Sequence, residues 1–188
     1  MDKILVFTGG LAAGKTTTME LLAERYQMKI IPSFVSRAPR KSDPVGDYEH
    51  GSWLDIWTAY RRGELISCPS ETSYELYGMR KKNVERAILE GGLQGRSIIP
   101  DSIEAWHKFA GDKMIFFHLP TPSKEETFRR VIERGEMTIG AFEERIINEK
   151  RMDSKVLQLI ESGIKIHLLP RDCVEKTLQN VVNMIFGI

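Results

Sequence analysis

The sequence has little cysteine and no long apolar run. Its 188 residues include 2 cysteines, Cys68 and Cys173, which are too few and too isolated for a disulfide framework or a cysteine-based metal site. No segment approaches the ~20 consecutive apolar residues that span a bilayer. The segment after Met1 lacks the basic start and the longer apolar stretch of a secretory signal. We therefore expect a protein of the reducing cytoplasm.

The sequence also lacks an excess of either charge. Its 27 basic and 26 acidic side chains nearly cancel, so no global field favours nucleic acid or a membrane surface. The 4 histidines do not have the spacing that is typical of metal ligands. We expect small-molecule nucleotide partners at local sites, no nucleic-acid or membrane partner, and a monomer or a homodimer.

Short apolar runs alternate with amphipathic stretches along the chain, which predicts an α/β fold with a parallel sheet between helices. The length suits a single domain, 1–188. The predicted strands are Ile4–Thr8, Lys29–Val35, Ser97–Pro100, Met114–Leu119 and Ile164–Leu169. The predicted helices are Thr16–Tyr26, Lys82–Leu89, Ile103–Phe109, Lys124–Arg134, Ala141–Glu161 and Val174–Phe186.

One region, about 36–79, interrupts this alternation. Prolines and a glycine break the pattern, and a short helix at Trp53–Arg62 is followed by two small predicted strands, Leu65–Ile66 and Tyr74–Tyr77. We interpret it as a small lobe inserted into a core made of 1–35 and 80–188.

The segment from Gly9 to Thr16 fits the pattern G-x4-G-K-[ST], directly after an apolar strand and directly before a helix. Glycines allow successive backbone N–H groups to surround phosphate oxygens, and the helix N-terminus adds partial positive charge. Lys15 would bind the β- and γ-phosphates, and the Thr16 hydroxyl would bind Mg²⁺. The predicted cofactors are ATP and Mg²⁺. The predicted ATP-binding residues of this loop are Gly9, Gly10, Leu11, Ala12, Ala13, Gly14, Lys15, Thr16 and Thr17.

Three later segments carry guanidinium and hydroxyl groups that suit one phosphate. They are Ser33-Phe34-Val35-Ser36-Arg37-Ala38-Pro39-Arg40, Gly46-Asp47-Tyr48 and Leu76-Tyr77-Gly78. Their order and spacing resemble the acceptor lobe of the guanylate kinase family. The resemblance implies a three-layer P-loop kinase fold with a five-stranded parallel sheet. It also implies that Ser33, Arg37, Arg40, Tyr48 and Tyr77 bind the phosphate of the acceptor.

The resemblance continues at Arg130-Val131-Ile132-Glu133-Arg134-Gly135 and at Arg145. It implies a lid at about 134–142, with Arg130 and Arg134 closing over the ATP phosphates. Cations that arrive on closure can stabilise the charge of the transferring phosphoryl group. Lys15, Arg134 and Arg145 are therefore the predicted catalytic residues.

The chain departs from the family where guanylate kinases read guanine. Ser67 stands where the first acid of the family belongs, Met79 replaces a hydroxyl residue after Tyr77-Gly78, and Asp101 is one acid in place of two. We assign Ser67, Gly78, Met79 and Asp101 to the acceptor site. The predicted reaction is phosphoryl transfer from ATP to GMP or dGMP.

Several alternatives to this reaction remain open. In one alternative, the acceptor is another nucleoside monophosphate or ribose 1,5-bisphosphate. In a second, the chain is a non-catalytic guanylate kinase-like interaction module, although such a module would usually lack an intact Gly-Lys-Thr loop. A GTP switch is disfavoured because the chain has no Asn-Lys-x-Asp segment.

Overall fold

The computed structural model describes residues 2–40, 43–72, 75–133 and 139–187, with side chains for all of them except 72, 139–141 and 143–150. The nine described strands are β1 (Lys3–Gly9), β2 (Lys29–Ile30), β3 (Ser33–Val35), β4 (Tyr48–His50), β5 (Ser70–Thr72), β6 (Glu75–Gly78), β7 (Leu93–Ser97), β8 (Met114–Leu119) and β9 (Ile166–Leu168). The seven described α-helices are α1 (Lys15–Tyr26), α2 (Trp53–Arg61), α3 (Lys81–Glu90), α4 (Ile103–Ala110), α5 (Lys124–Glu133), α6 (Ile139–Glu161) and α7 (Val174–Phe186).

A five-stranded parallel sheet in the order β2-β7-β1-β8-β9 forms the centre of the fold. The middle strand, β1, is almost entirely buried, as expected for a strand covered on both faces. Because the strands are parallel, the carboxyl ends of β7, β1 and β8 share one edge of the sheet. The predicted α/β class with a five-stranded parallel sheet is confirmed.

Helices cover both faces of this sheet. Successive residues of β1 point to opposite sides, and each side packs in a different apolar cluster. Ile4 and Val6 pack in a cluster with the fully buried Trp106 of α4. Leu5 and Phe7 pack in a second cluster with residues of α1 and α7. The result is the predicted three-layer arrangement. Within the described residues, no helix has the length and apolar content of a membrane span.

A second sheet, in the order β4-β3-β6-β5, forms the inserted lobe. The prediction of one continuous strand over Lys29–Val35 is wrong: β2 pairs with the core sheet, and β3 pairs with the lobe sheet. Pro32 lies between them and has no backbone N–H to continue a ladder. The lobe has its own apolar core, in which Phe34 of β3 packs with Ile56 of α2.

Two other strand predictions are corrected by the structure. The predicted strand Ser97–Pro100 is wrong, since β7 ends at Ser97 and Pro100 begins a short 3₁₀ turn. Polar Gln94 and Arg96, which are both buried, conceal β7 in the sequence. The predicted strand at Leu65–Ile66 is also wrong, because Leu65 makes a single bridge to Arg80.

Candidate active site

The predicted phosphate-binding loop connects β1 to α1 at the carboxyl edge of the core sheet. Three of its residues have positive φ: Gly9 (144°), Ala12 (55°) and Gly14 (94°). A Cβ atom at Gly9 would overlap the carbonyl oxygen of Leu119 in β8, so glycine is required there. Since α1 begins at Lys15, its unpaired N-terminal N–H groups lie next to the loop, as an anion site requires.

Two cations contact the backbone of this loop. Lys15 Nζ donates to the carbonyl oxygens of Gly9, at 2.7 Å, and Gly10, at 2.6 Å. Arg130 Nη1 of α5 donates to the carbonyl oxygen of Ala12 at 2.9 Å, and its Nε donates to Glu126 at 2.6 Å. The predicted ATP-binding residue Arg130 therefore lies against the loop, with Lys15.

A buried histidine lies at the end of β8, close to the loop. His118 is 3% exposed, and its Nε2 is 3.0 Å from Asp153 Oδ1 of α6. Thr121 donates to the same carboxylate oxygen at 3.1 Å, and Arg171 donates to the carbonyl oxygen of Thr121. Burial lowers the pKa of His118, with Asp153 opposing the shift and Lys15 adding to it. These contacts connect β8 to α6.

The predicted acceptor arginine Arg37 forms an ion pair with Asp43. Its Nη1 and Nη2 each donate to one oxygen of that carboxylate at 2.6 Å, and Arg40 N donates to Asp43 at 2.8 Å. The Arg37 and Asp43 side chains are only 5% and 14% exposed. The hydrogen bonds from Arg37 lower the pKa of Asp43 to about 2. The guanidinium of Arg37 is therefore bound by a carboxylate of the protein itself.

Two other predicted acceptor residues meet a second carboxylate, that of Glu75 in β6. Tyr77 donates its phenolic O–H to Glu75 at 2.6 Å, and the exposed Arg40 lies at 3.5 Å from both oxygens of Glu75. Burial, together with the bond to Glu75, raises the pKa of Tyr77 to about 12. The Tyr48 ring of β4 lies 4.5 Å from the guanidinium carbon of Arg37. The structure thus brings Arg37, Arg40 and Tyr77 together through Asp43 and Glu75, and Tyr48 joins them through the guanidinium of Arg37.

Of the other predicted site residues, Ser33 lies beside this cluster, paired in register with Tyr48, whereas Met79, Ser67 and Asp101 have other surroundings. Met79 is buried in the core cluster of the main sheet, a placement typical of a packing residue. Ser67 donates its hydroxyl to Ser102 at 3.1 Å. Ser33 is buried, and its N–H donates to the carbonyl oxygen of Asp47 at 3.0 Å. Asp101 is exposed on the 3₁₀ turn after β7.

The remaining predicted residues lie close to the two regions or outside the described chain. Thr16 is exposed and Thr17 half-buried in the first turn of α1. A Cβ atom at Gly78 would lie 2.8 Å from the Leu65 side chain, so this part of the lobe is tightly packed. Arg134 and most of the predicted lid, 134–142, lie outside the described residues, and the same holds for the side chain of Arg145.

The prediction from sequence missed three charged residues of the acceptor lobe region. Two are the carboxylates Asp43 and Glu75. The third is Arg96 of β7, whose guanidinium carbon lies 4.8 Å from the centre of the Tyr48 ring and whose Nη1 donates to the carbonyl oxygen of Asp47 at 3.1 Å. Because Gln94 and Arg96 conceal β7 in the sequence, no local signal placed Arg96 beside the lobe.

The arrangement places two cation-rich regions near one edge of the core sheet. One is the loop with Lys15 and Arg130, and the other is the arginine and tyrosine cluster of the lobe. Within the described ranges, no three histidine, cysteine or carboxylate side chains are grouped for a metal ion. The Thr16 hydroxyl is exposed in the first turn of α1, where it fits a Mg²⁺ ion that takes its other ligands from nucleotide phosphates and water, as Mg²⁺ commonly does.

Comparison with known proteins yields one family name. No family model matches the sequence. Two curated guanylate kinases, from Campylobacter jejuni strains RM1221 and NCTC 11168, are 23% identical to the chain over 147 residues, which is 77% of this chain and 72% and 71% of those proteins. The crystal structure of guanylate kinase from Anaplasma phagocytophilum superposes with a TM-score of 0.70 at 18% identity, covering 99% of this chain and 85% of that one. The predicted resemblance to the guanylate kinase family is therefore confirmed, and the chain shares the fold of the Anaplasma phagocytophilum protein.

Proposed function

We propose that the protein is an ATP-dependent kinase that transfers a phosphoryl group to a nucleoside monophosphate, with GMP or dGMP as the first candidates. The observation that supports this most directly is the placement of two cation-rich regions near one sheet edge. One has the backbone of a nucleotide-binding loop, and the other has paired guanidinium groups suited to a phosphate. The similarity to guanylate kinases from Campylobacter jejuni supports the same reaction.

On the donor side, the loop would bind ATP through its backbone N–H groups and the first turn of α1. Lys15 and Arg130 are held by loop carbonyls, so their charges are positioned before the nucleotide arrives. Mg²⁺ bound at Thr16 would neutralise phosphate charge. Preorganised cations of this kind stabilise the charge of the transferring group with little reorganisation.

On the acceptor side, the phosphate would bind Arg37, Arg40, Tyr48 and Tyr77. An oxygen of the acceptor phosphate would form a bond to the γ-phosphorus as the bond to the β-phosphate oxygen breaks, giving a nucleoside diphosphate and ADP. Because that oxygen is already anionic near neutral pH, the reaction requires positioning and charge stabilisation and no general base. Lid residues Arg134 and Arg145 are proposed to complete the cation set.

A second candidate is a kinase for another phosphorylated acceptor, either another nucleotide or ribose 1,5-bisphosphate. Two contacts favour it. Met79 is buried in the core, and Ser67 is hydrogen-bonded to Ser102. The two side chains at the predicted base-reading positions are therefore engaged with other parts of the protein. A non-catalytic interaction module is disfavoured by the complete loop with its ordered Lys15.

The test is ADP release from MgATP with GMP, dGMP, AMP, CMP, UMP, dTMP or ribose 1,5-bisphosphate as the acceptor. We expect turnover with GMP first. Lys15→Ala should reduce turnover at least ~100-fold, because it removes a major electrostatic contact. The exposed Lys29, which pairs with Glu90 at 3.2 Å, provides the matched control Lys29→Ala. Turnover of Lys15→Ala near that of the control would remove the loop from the mechanism.

A further inference from the structure

We propose that Arg96 is a third arginine of the acceptor site and that it binds the acceptor phosphate together with Arg37. This inference rests on the proposed function. It adds a residue of the core sheet to a site that is otherwise formed by the inserted lobe. It also makes an anionic group a requirement of the acceptor, whatever base or sugar carries that group.

The position of Arg96 connects the two halves of the site. In β7 it is paired in register with Val6 of β1, three residues before the loop begins at Gly9. Its side chain reaches the lobe, where it donates to the Asp47 carbonyl oxygen at 3.1 Å. The guanidinium carbons of Arg96 and Arg37 lie 4.8 and 4.5 Å from the centre of the same Tyr48 ring. Both guanidinium groups therefore contact the ring of a predicted phosphate-binding residue.

The environment of Arg96 leaves part of its binding capacity unused. The residue is 6% exposed, and its Nε is buried without a hydrogen-bond partner in the part of the chain that the structure describes. Among the described residues, its side chain donates to a neutral carbonyl and makes no ion pair. A buried charge without a counter-ion is strongly unfavourable. An anionic ligand would supply the missing partner.

The other two arginines differ from Arg96 in this respect. Both terminal nitrogens of Arg37 already bind the Asp43 carboxylate. Arg40 is exposed and lies near Glu75. Arg96 acts on the Asp47 carboxyl only through its charge: burial raises the pKa of that carboxyl, and Arg96 opposes the shift. Of the three guanidinium groups, Arg96 is thus the one that is buried and not neutralised by a direct ion pair.

The experiment compares the binding of GMP and guanosine by calorimetry in the wild type, Arg96→Gln and Arg96→Lys. The exposed Arg61 of α2 supplies the control Arg61→Gln. We expect Arg96→Gln to weaken GMP binding at least ~10-fold, as for lost hydrogen bonds to a charged group, with guanosine binding unchanged. Arg96→Lys should restore part of the loss. In turnover, the KM for GMP should rise and the KM for ATP should not.

If the wild type binds GMP, two results would overturn the inference. GMP binding that is unchanged in Arg96→Gln would exclude a contact, and equal losses for GMP and guanosine would indicate a structural role. If the wild type does not bind GMP, the proposed function fails instead. Inorganic phosphate is then titrated in a Lys15→Ala background, which weakens the loop site: loss of phosphate binding on adding Arg96→Gln supports the inference, and unchanged or absent binding rejects it. Arg96→Lys replaces Arg96→Gln throughout if thermal melting shows that the latter is unfolded.

Discussion

The substitution Asp43→Asn tests whether the protein holds its own anion in the acceptor site. In the structure, both oxygens of Asp43 receive hydrogen bonds of 2.6 Å from Arg37, in a pair with side chains that are 5% and 14% exposed. An acceptor phosphate that binds Arg37 must compete with this carboxylate. Hydrogen bonds to charged groups contribute about 1.5–3 kcal/mol each, and removal of one partner from a buried pair costs about 3–5 kcal/mol.

We therefore expect Asp43→Asn to lower the free energy of unfolding of the ligand-free protein by about 3 kcal/mol. The same change should lower the KM for the acceptor several-fold, since the phosphate no longer displaces a charged competitor. Urea denaturation with and without GMP, and steady-state kinetics, measure the two effects. Glu175 forms a bidentate pair with Arg25 on the exposed surface, at 2.8 Å, and Glu175→Gln is the control.

The pH dependence supplies a further measurement of the same pair. The pKa of Asp43 is lowered from 3.8 to about 2 in the folded protein. A lowered carboxyl pKa stabilises the fold fully above the unfolded value, and the contribution is lost as the pH falls from 3.8 towards 2. Asp43→Asn should remove this part of the acid sensitivity. A KM for the acceptor that rises in Asp43→Asn would refute the competition and show that Asp43 orients Arg37 for binding.

Two other predictions concern stability. Gly9→Ala should lower the melting temperature far more than the control Gly63→Ala. Both glycines have a positive φ, 144° and 69°, but only a Cβ atom at Gly9 would overlap Leu119, whereas the space around Gly63 is open. Comparable losses of melting temperature would contradict the steric argument. The lowered pKa of buried His118 means that the unfolded chain binds more protons below its ordinary pKa of 6.5, so stability should fall as the pH drops from there. His118→Gln should flatten this profile in urea titrations, and an unchanged slope would mean that other groups, such as His167, carry it.

The features that the sequence predicted well are those set by neighbouring residues. The residues of the phosphate-binding loop are contiguous in the sequence. Its glycines, which allow the turn, and Lys15, which supplies the charge, lie within eight positions. The described helices begin and end within two residues of the predicted bounds, because their apolar spacing and end residues are local signals. For example, Ser123 Oγ accepts from Glu126 N at 3.2 Å at the start of α5, as expected of a serine that precedes a helix.

The features that the sequence did not predict depend on partners far along the chain. The division of Lys29–Val35 between two sheets is decided by strand pairing on either side of Pro32, not by propensity. The position of β7 was missed because buried Gln94 and Arg96 make it look less apolar than Ile98 and Ile99, which follow it. Tertiary contacts compensate this polarity, as when Gln94 donates to the carbonyl oxygen of Gly91 at 3.1 Å.

The same distinction explains why the acceptor residues were predicted without their partners. The arginines and tyrosines of the lobe were assigned to a phosphate by their chemical type together with the resemblance to the guanylate kinase family, and neither signal identifies their partners in the fold. Their pairing with Asp43 and Glu75 follows from the folded geometry. The two cation-rich regions have different partners within the protein. Lys15 donates to neutral backbone carbonyls, whereas Arg37 donates to a carboxylate. A ligand that binds the loop displaces neutral carbonyl groups from Lys15. A ligand that binds Arg37 must compete with a carboxylate that carries a full negative charge. A phosphate dianion meets that condition and a neutral nucleoside does not, so the internal carboxylate favours acceptors that carry a phosphate.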